Sequence, residues 1–325
     1  MKFYGLLTIL TALIMIIVPA AALTKEKAEQ NTIPIVSENV SVTENTTQEY
    51  IDVFMTQTET ILSVDKVEYI TGVLAGEMPA TYHDEALKAQ AAACNTYAEY
   101  IINNRTNIKG GADITDSPLS HQHYISRNER KEKWGDNFQI YENKLRSIAQ
   151  EMCNTVITYE NEPIMATFFS MCPGKTEDAE TVFGQSLPYL KSVTSDSDKL
   201  SPDYSKKISY TEEQFKEILS GTDKIVLGDD PSEWIGETEK TDVGTVIRIN
   251  IGNKSISGEE FRNLFDLRSS AFSVSRSESG FSIKTVGYGH FVGMSQYGAD
   301  YMARQGADYE EILKHYYTGV KISDV

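Results

Sequence analysis

The chain has 325 residues, and 30 basic and 47 acidic side chains give it a formal net charge of -17. This length accommodates one large domain or two ordinary ones. The acidic balance argues against a nucleic-acid partner, which requires a basic surface. Three cysteines, none of them in a C-x-x-C pair, are too few for a disulfide framework.

The N-terminus is a long segment without charged residues, from Phe3 to Leu23. A helix of about 20 apolar residues is long enough to cross a bilayer. Ala20 and Ala22 also form an A-x-A-like cleavage site. Residues 1–23 are therefore predicted to be a transmembrane anchor or a signal segment, and the length of the apolar run favours the anchor.

Charge around this segment predicts its orientation. Lys2 is the only charged residue before Lys25, and basic flanks stay on the cytoplasmic side. Residues 24–49 are polar and predict a linker between the membrane and the domain. Residues 50–325 are then expected to form an extracytoplasmic domain.

Two helices with a break between them are predicted early in this domain. Asp65 is a candidate N-cap with Glu68 three residues later, and Gly76 and Pro79 end the first helix. The second, "HDEALKAQAAACNTYAEYIINNR", is rich in alanine and places apolar residues at steps of four and three. The residues expected on its packed face are Leu87, Ala91, Cys94, Ala98 and Ile101.

Strands and helices are grouped along the remainder of the chain. "KLRSIAQEMCNTVITYENEPIM" predicts a helix and a β-hairpin that turns at residues 160–162. Helices are predicted in "TEEQFKEILSG" and "SGEEFRNLFDL", strands in "VGTVIRINIGNKSI" and "FSVSRSESGFSIKTVGYG", and two capped helices at the C-terminus. Because strands do not alternate strictly with helices, an α+β fold is expected: one elongated domain with packed helices and a substrate groove.

Glu77 is the candidate catalytic residue that the local sequence supports. It lies at the C-terminal end of the first helix, where the macrodipole disfavours negative charge, and Leu74 and Met78 add desolvation. Both effects raise the pKa of a carboxylic acid, which suits a general acid near neutral pH. A purely structural role, in which Glu77 caps backbone amides of residues 81–84, is equally compatible with the sequence.

Other constellations are weaker. His121 and His123 are two residues apart in a loop without cysteines, a pattern more typical of solvated side chains than of metal ligands. Ser170 or Ser295 with His290 suggests nucleophilic chemistry, but neither serine stands in a G-x-S-x-G turn. No cofactor and no metal are therefore expected.

Several long motifs resemble the stage II sporulation protein D family of lytic transglycosylases. They are "YITGVLAGEMP", "EALKAQAAACNTYA", "FFSMCPGKTEDAETVFGQSLPYLKSV", "SGEEFRNLFDLRSSAF" and "GYGHFVGMSQYGADYMARQG". The resemblance covers most of the chain from about Tyr50 to Ile322. It implies an enzyme that cleaves peptidoglycan strands after an amidase has removed their stem peptides, during forespore engulfment.

Within this resemblance, Glu77 corresponds to the catalytic glutamate. It would protonate the glycosidic oxygen and then help the muramyl 6-hydroxyl attack C1, so that no second carboxylate is needed. Glu177 remains a candidate for stabilising positive charge across the groove, and Lys175 for holding a hydroxyl or the lactyl carboxylate. The residues whose motif positions suggest substrate binding are Gln90, Ser170, Lys175, Thr176, Glu177, His290, Ser295 and Gln296. For Ser295 a helix N-cap, and for Gln296 a surface position, are alternatives.

The sequence departs from the family pattern in two places. Asn95 stands where the second helix of relatives has arginine, which raises the question of whether another cation serves the site. Some relatives bind zinc through cysteines around a histidine, and Thr115 and His121 occupy the expected cysteine positions. No zinc is therefore predicted here.

Two further hypotheses belong to other functional classes. One is a glycan-binding module that recruits or activates a cell-wall amidase without cleaving glycan, which Asn95 favours, and the other is a purely structural scaffold that bridges two membranes. A cell-wall amidase and a membrane scaffold of the engulfment machinery are the expected partners. All three hypotheses place it at the cell membrane with its domain outside the cytoplasm, on the mother-cell side of the intermembrane space if it serves sporulation.

Overall fold

Two hydrophobic cores organise the part of the chain that the computed structural model describes, residues 49–104, 108–221 and 225–324. The strands are β1 (Tyr50–Met55), β2 (Thr60–Asp65), β3 (Ile114–Thr115), β4 (Thr155–Tyr159), β5 (Glu162–Pro163), β6 (Phe168–Phe169), β7 (Ser205–Tyr210), β8 (Ile235–Lys240), β9 (Val246–Ile251), β10 (Lys254–Ser257), β11 (Phe272–Ser277), β12 (Gly280–Val286), β13 (Met294–Ser295) and β14 (Lys321–Asp324). The helices are α1 (Lys66–Glu77), α2 (Asp84–Asn103), α3 (Arg127–Trp134), α4 (Phe138–Met152), α5 (Ala179–Phe183), α6 (Glu212–Ser220), α7 (Gly258–Leu264), α8 (Gln296–Arg304) and α9 (Tyr309–Tyr316).

The first core surrounds helix α2. This helix packs against α1, α4, α8, α9 and β4. The face predicted from the sequence is buried, from Leu87 and Cys94, which have no exposed surface, to Ile101 at the helix's C-terminal end. Because alanine side chains are small, neighbouring elements approach α2 closely on several sides, and Ala89, Ala92 and Ala93 are buried as well.

The second core lies in residues 205–286, called here the second region; the elements packed around the first core are called the first region. Aromatic rings dominate the second core, and Phe215 stacks on Phe281 with 4.1 Å between ring centroids. Trp234 stacks on the same ring at 5.6 Å. Offset and edge contacts between such rings stabilise a small core beyond the area that they bury.

The sheets are small and mostly antiparallel. Their strand orders are β2-β1-β3, β10-β9-β8, β11-β12-β7, β13-β6 and β14-β4-β5. Strands and helices are grouped as predicted, so the α+β class is confirmed. The predicted hairpin is also confirmed, because β4 pairs with β5 and residues 160 and 161 have positive φ angles of 54° and 67°.

The predicted anchor and almost all of the predicted linker lie outside the described residues, so these assignments stay predictions. In the described ranges no helix is both long and apolar enough to span a bilayer. The three cysteines, Cys94, Cys153 and Cys172, are free thiols.

Candidate active site

Glu77 is the last residue of α1, as the sequence predicts. The helix begins at Asp65, whose side chain accepts a hydrogen bond of 2.8 Å from the amide of Glu68. It ends because Met78 turns to extended backbone while its amide still bonds the carbonyl oxygen of Leu74 at 3.0 Å. The carboxyl group therefore projects from a helix C-terminus that carries no basic residue in its last turn.

Two glycines of α1 let a distant loop lie directly against the helix. A Cβ atom on Gly76 would stand 1.9 Å from the carbonyl oxygen of His123, and one on Gly72 would stand 2.3 Å from the ring of Tyr124. The amide of Ile125 bonds the carbonyl oxygen of Gly72 at 3.3 Å. The absence of side chains at both positions thus brings the backbone of residues 123–125 onto α1.

This close approach gives Glu77 its main hydrogen-bond partner. The backbone amide of His123 donates to Oε1 of Glu77 at 2.7 Å, and the nearby side chain of Gln296 also favours the carboxylate form. Glu77 does not cap the backbone amides at the start of α2, the alternative role that the sequence allowed. The N-cap of α2 is His83, whose side chain accepts from the amide of Glu85. Glu77 is instead held between the 121–125 loop and the start of α8.

Burial raises the pKa of Glu77 from 4.5 to about 7, against the opposing effects of the His123 amide, the Gln296 amide and the charge of Lys133. Desolvation disfavours the carboxylate form more than these contacts favour it. Near neutral pH the group is therefore present in both protonation states. That is the property of a residue which donates and then takes back a proton.

Glu77 lies between two cavities. The larger, about 860 Å³, has a mixed aromatic and polar lining. Its walls are formed by Gly76, Glu77, Tyr97, Pro118, Leu119, Ser120, His121, Gln122, His123, Met165, Thr167, Phe168, Phe169, Ser170, Phe183, Gln185, Arg262, Tyr288, Gly289, His290 and Gln296. The smaller, about 370 Å³, is also lined by Gly76 and Glu77, and adds Lys133, Trp134 and Tyr141.

Aromatic and cationic groups mark the smaller cavity. The rings of Trp134 and Tyr141 meet edge to face with centroids 5.7 Å apart. Lys133 donates a hydrogen bond of 2.7 Å to the carbonyl oxygen of Ala75, which brings its charge towards Glu77. An acid with space on both sides matches the geometry needed to act on a bond inside a chain-like ligand.

Three of the predicted binding residues line the larger cavity: Ser170, His290 and Gln296. Gln296 is more than a surface residue, since it is buried, its side chain favours the Glu77 carboxylate, and its Nε2 donates to Oε1 of Gln90 at 3.5 Å. Gln90 itself is fully buried behind Gln296 and does not line the cavity. It therefore acts on the site only through its neighbour.

His290 is half-buried among rings. Its Nδ1 accepts a hydrogen bond of 3.1 Å from the amide of Val292, and its ring lies 5.9 Å from that of Phe169 and 5.4 Å from that of Phe183. Burial and the nearby charge of Arg262 lower the pKa of His290 to about 4. The imidazole is consequently neutral at physiological pH and contributes hydrogen bonding and ring surface rather than charge.

The structure does not bring the other predicted residues to either cavity. Lys175 is exposed, and Thr176 is buried with its hydroxyl accepting from the amide of Val193 at 2.8 Å. Glu177 is 4% exposed and accepts a hydrogen bond of 2.6 Å from the hydroxyl of Thr241, in the second region. The motif that contains Lys175, Thr176 and Glu177 therefore connects the two regions and does not line the larger cavity.

Ser295 is the N-cap of α8, the alternative considered for it from the sequence. Its Oγ accepts from the amide of Gly298 at 3.1 Å and donates to the carboxylate of Asp198 at 2.8 Å. Asp198 is fully buried and also accepts from the amide of Cys172 at 2.6 Å. Ser295 therefore stabilises the start of the helix that carries Gln296.

Asn95 bonds strand β4 rather than Glu77. It is fully buried, and its Nδ2 donates to the carbonyl oxygen of Thr155 on β4 at 3.0 Å. Its Oδ1 has no hydrogen-bond partner among the described residues. The cation with an electrostatic effect on Glu77 is Lys133, on a different helix.

The histidine loop belongs to the site, which its sequence did not reveal. His121 lines the larger cavity, and its Nδ1 lies 3.1 Å from the hydroxyl of Thr115, so the two expected cysteine positions are in contact. No cluster of three or more His, Cys, Asp or Glu side chains suited to a metal ion occurs in the described ranges. The pair of histidines, His121 and His123, is the signal in the sequence that marks this loop, and both line the larger cavity.

A family model described as stage II sporulation protein matches residues 55–159, which include Glu77 and the histidine loop. The stage II sporulation protein D of Bacillus subtilis (strain 168) is 37% identical over 278 residues, which are 84% of this chain and 79% of that protein. The chain belongs to the stage II sporulation protein D family.

Other relatives extend this result. The stage II sporulation protein D of Bacillus amyloliquefaciens is 36% identical over 278 residues, 84% of this chain and 78% of that protein. A protein of Bacillus subtilis (strain 168) named amidase enhancer is 27% identical over 309 residues, 78% of this chain but 40% of its own length. This chain is thus also similar, at lower identity, to a protein whose name refers to an amidase.

Proposed function

We propose that this protein is a lytic transglycosylase that cleaves peptide-stripped peptidoglycan strands, with Glu77 as its single acid and base. The observation that supports this most directly is a carboxyl group with a pKa of about 7 between two cavities. Membership of the sporulation family supports the biological setting, the engulfment of the forespore. The enzyme is expected at the membrane, with its domain outside the cytoplasm.

The proposed reaction needs only this one group. Protonated Glu77 donates its proton to the oxygen that joins N-acetylmuramic acid to N-acetylglucosamine, and the bond from C1 to that oxygen breaks. The 6-hydroxyl oxygen of the same muramyl sugar bonds to C1, and its proton passes to the Glu77 carboxylate. The product is a 1,6-anhydromuramyl end, and the acid is regenerated without water.

Contacts around Glu77 fit both halves of this cycle. Burial favours the protonated acid that begins the reaction. The His123 amide donates a hydrogen bond to Glu77 and the Gln296 side chain acts in the same direction, so both stabilise the carboxylate once the proton has left. A second carboxylate, as in the common two-carboxylate glycosidases, is not required, since the attacking oxygen belongs to the substrate.

The experiment compares wild-type full-length protein with Glu77→Gln on cell-wall strands from which an amidase has removed the peptides. We expect wild-type protein to release fragments with anhydromuramyl ends, one water lighter than hydrolysis products. Glu77→Gln should lower the rate by about 10²- to 10⁴-fold, the usual contribution of a general acid. Glu278→Gln removes an exposed carboxylate in the turn between β11 and β12 and is the matched control.

The products separate this proposal from its alternatives. Reducing ends, formed by addition of water, would identify a hydrolase and contradict the single-acid reaction. Strands that bind but stay uncleaved would favour the second candidate, a glycan-binding module that recruits or activates a cell-wall amidase. The observation in favour of that candidate is the relative named amidase enhancer, and an amidase and an engulfment scaffold are proposed partners in either case.

A further inference from the structure

A single fixed positive charge lines the larger cavity. Among the described residues that form its walls, Glu77 and Arg262 are the only members of the Asp, Glu, Lys and Arg classes. Glu77 is partly protonated at neutral pH, whereas a guanidinium stays charged. In a chain with a net charge of -17, this cation creates a local site for an anionic group.

Arg262 is oriented but not neutralised. It lies on α7 and is half-buried, and its Nε donates a hydrogen bond of 3.2 Å to the carbonyl oxygen of Leu267. None of the ion pairs between described residues includes it, although Glu259 on the same helix acts on its charge through space. Its terminal nitrogens therefore remain available to a ligand in the cavity.

The chemistry of a guanidinium defines what such a ligand carries. Its planar set of donors matches a carboxylate through two parallel hydrogen bonds, which are stronger than bonds between neutral groups. The groups beside it in the cavity, Tyr288 and the neutral His290, supply hydrogen-bonding and ring surface without competing charge. The local site thus favours a carboxylate attached to a sugar-sized body.

We propose that Arg262 is a specificity-determining residue that binds the free lactyl carboxylate of N-acetylmuramic acid. The identity of the sugar rests on the function proposed above. On a strand that still bears peptides, this carboxylate is part of an amide bond and has no charge. Arg262 would therefore make the cavity bind stripped strands more tightly than strands that bear peptides. The sequence suggested Lys175 for holding this carboxylate.

The ligand is varied first. The binding protein is full-length Glu77→Gln, in which cleavage is expected to be slow enough for binding to be measured. Its dissociation constants are measured for a stripped muramyl oligosaccharide, the same oligosaccharide with methyl-esterified lactyl groups, and a chitin oligosaccharide of equal length. We expect the free carboxylate to bind about 10- to 100-fold more tightly than the ester, the usual strength of a charge-assisted pair, and the difference to shrink at high salt. Equal binding of acid and ester would overturn the proposal.

The residue is varied next, in the same Glu77→Gln background. Arg262→Gln should weaken binding of the free carboxylate by about 10- to 100-fold and leave the ester and chitin nearly unchanged. Arg262→Lys should restore part of the preference, because it keeps the charge but loses the planar pair of donors. Arg248→Gln, an exposed arginine on β9, is the control and should keep the full preference.

The outcomes distinguish this proposal from the proposed function. Equal weakening of all three ligands by both Arg262 variants would mean a structural role and would overturn it. If Arg262→Gln does not fold, the Arg262→Lys variant and the comparison of the acid with the ester still test whether Arg262 binds the carboxylate. If the protein prefers the free carboxylate but releases no anhydromuramyl ends, the role of Arg262 is supported and the transglycosylase proposal is rejected. If it cleaves strands but shows no preference for the carboxylate, the transglycosylase is supported and the role of Arg262 is rejected.

Discussion

The two regions of this protein hold their key side chains in different ways. In the first region, Glu77 depends on an amide 46 residues away, that of His123, which reaches it because Gly76 has no side chain. In the second, Arg262 is oriented by a carbonyl oxygen five residues away, that of Leu267. The acid is thus positioned by tertiary contact and the cation by its own helix end.

Under the proposed roles of Glu77 and Arg262, this difference separates the residue that carries out the chemical step from the residue that selects the ligand. A proton donor acts only within hydrogen-bond reach of one atom, so it benefits from a support that several elements define. A cation that recognises a carboxylate acts over a wider range of positions. Changes around α1 should therefore lower the rate of the chemical step, and changes around α7 should alter which ligand binds.

Gly76→Ala is expected to have the largest effect on this comparison. Its Cβ would overlap the carbonyl oxygen of His123, so the 121–125 loop must move and the bond to Glu77 is lost. We expect kcat to fall by about 10- to 100-fold, as for a small misplacement of a catalytic group, and the free energy of unfolding to fall by about 1–3 kcal/mol. Steady-state rates on stripped strands and urea unfolding measure both.

The control for this variant is Gly228→Ala, since a Cβ there meets no atom within 4 Å. It should leave both quantities close to wild type. Unchanged kcat in Gly76→Ala would show that the His123 contact does not position the acid, and the contrast between the two regions would be wrong.

The pH dependence gives an effect of intermediate size that belongs to the first region alone. Because the proposed reaction starts from protonated Glu77, kcat/KM should fall as pH rises above its pKa of about 7, by about tenfold for each further unit. Measuring kcat/KM on stripped strands from about pH 5 to about pH 9 tests this dependence. A flat profile across neutral pH would exclude Glu77 as the acid.

The same group makes the stability of the fold pH-dependent. The folded protein holds the Glu77 proton up to about pH 7, whereas the unfolded chain releases it near 4.5. Relative to Glu77→Gln, the wild-type free energy of unfolding should therefore be highest below 4.5, decrease from there to about 7 and level off above it. Urea unfolding of both proteins across this range measures the difference, and parallel curves would contradict the raised pKa.

Glu177→Gln should have the smallest effect, because this carboxyl group connects the two regions and does not line either cavity. The amide oxygen of glutamine still accepts from Thr241, so we expect rates within about threefold and a stability change of about 1 kcal/mol or less. Loss of cleavage in this variant would instead favour a two-carboxylate reaction and contradict the single-acid proposal.

The sequence by itself determined the local elements of this protein. The cap at Asp65, the end of α1 after Gly76, the buried face of α2, the hairpin after β4 and the last two helices all depend on residues within one or two turns of each other. The position of Glu77 at a helix end and the α+β class follow from the same short-range signals.

Only the tertiary structure decided which residues meet. His123, Arg262 and Gln296 join Glu77 in one cavity from positions far apart in the chain, while Lys175 and Glu177, inside a long motif, face elsewhere. Short-range patterns describe how a segment folds, but the neighbours of a side chain depend on how whole elements pack. For that reason the sequence indicated Glu77 and Gln296, whereas the positions of His123 and Arg262 beside the same cavity emerged only from the packing of whole elements.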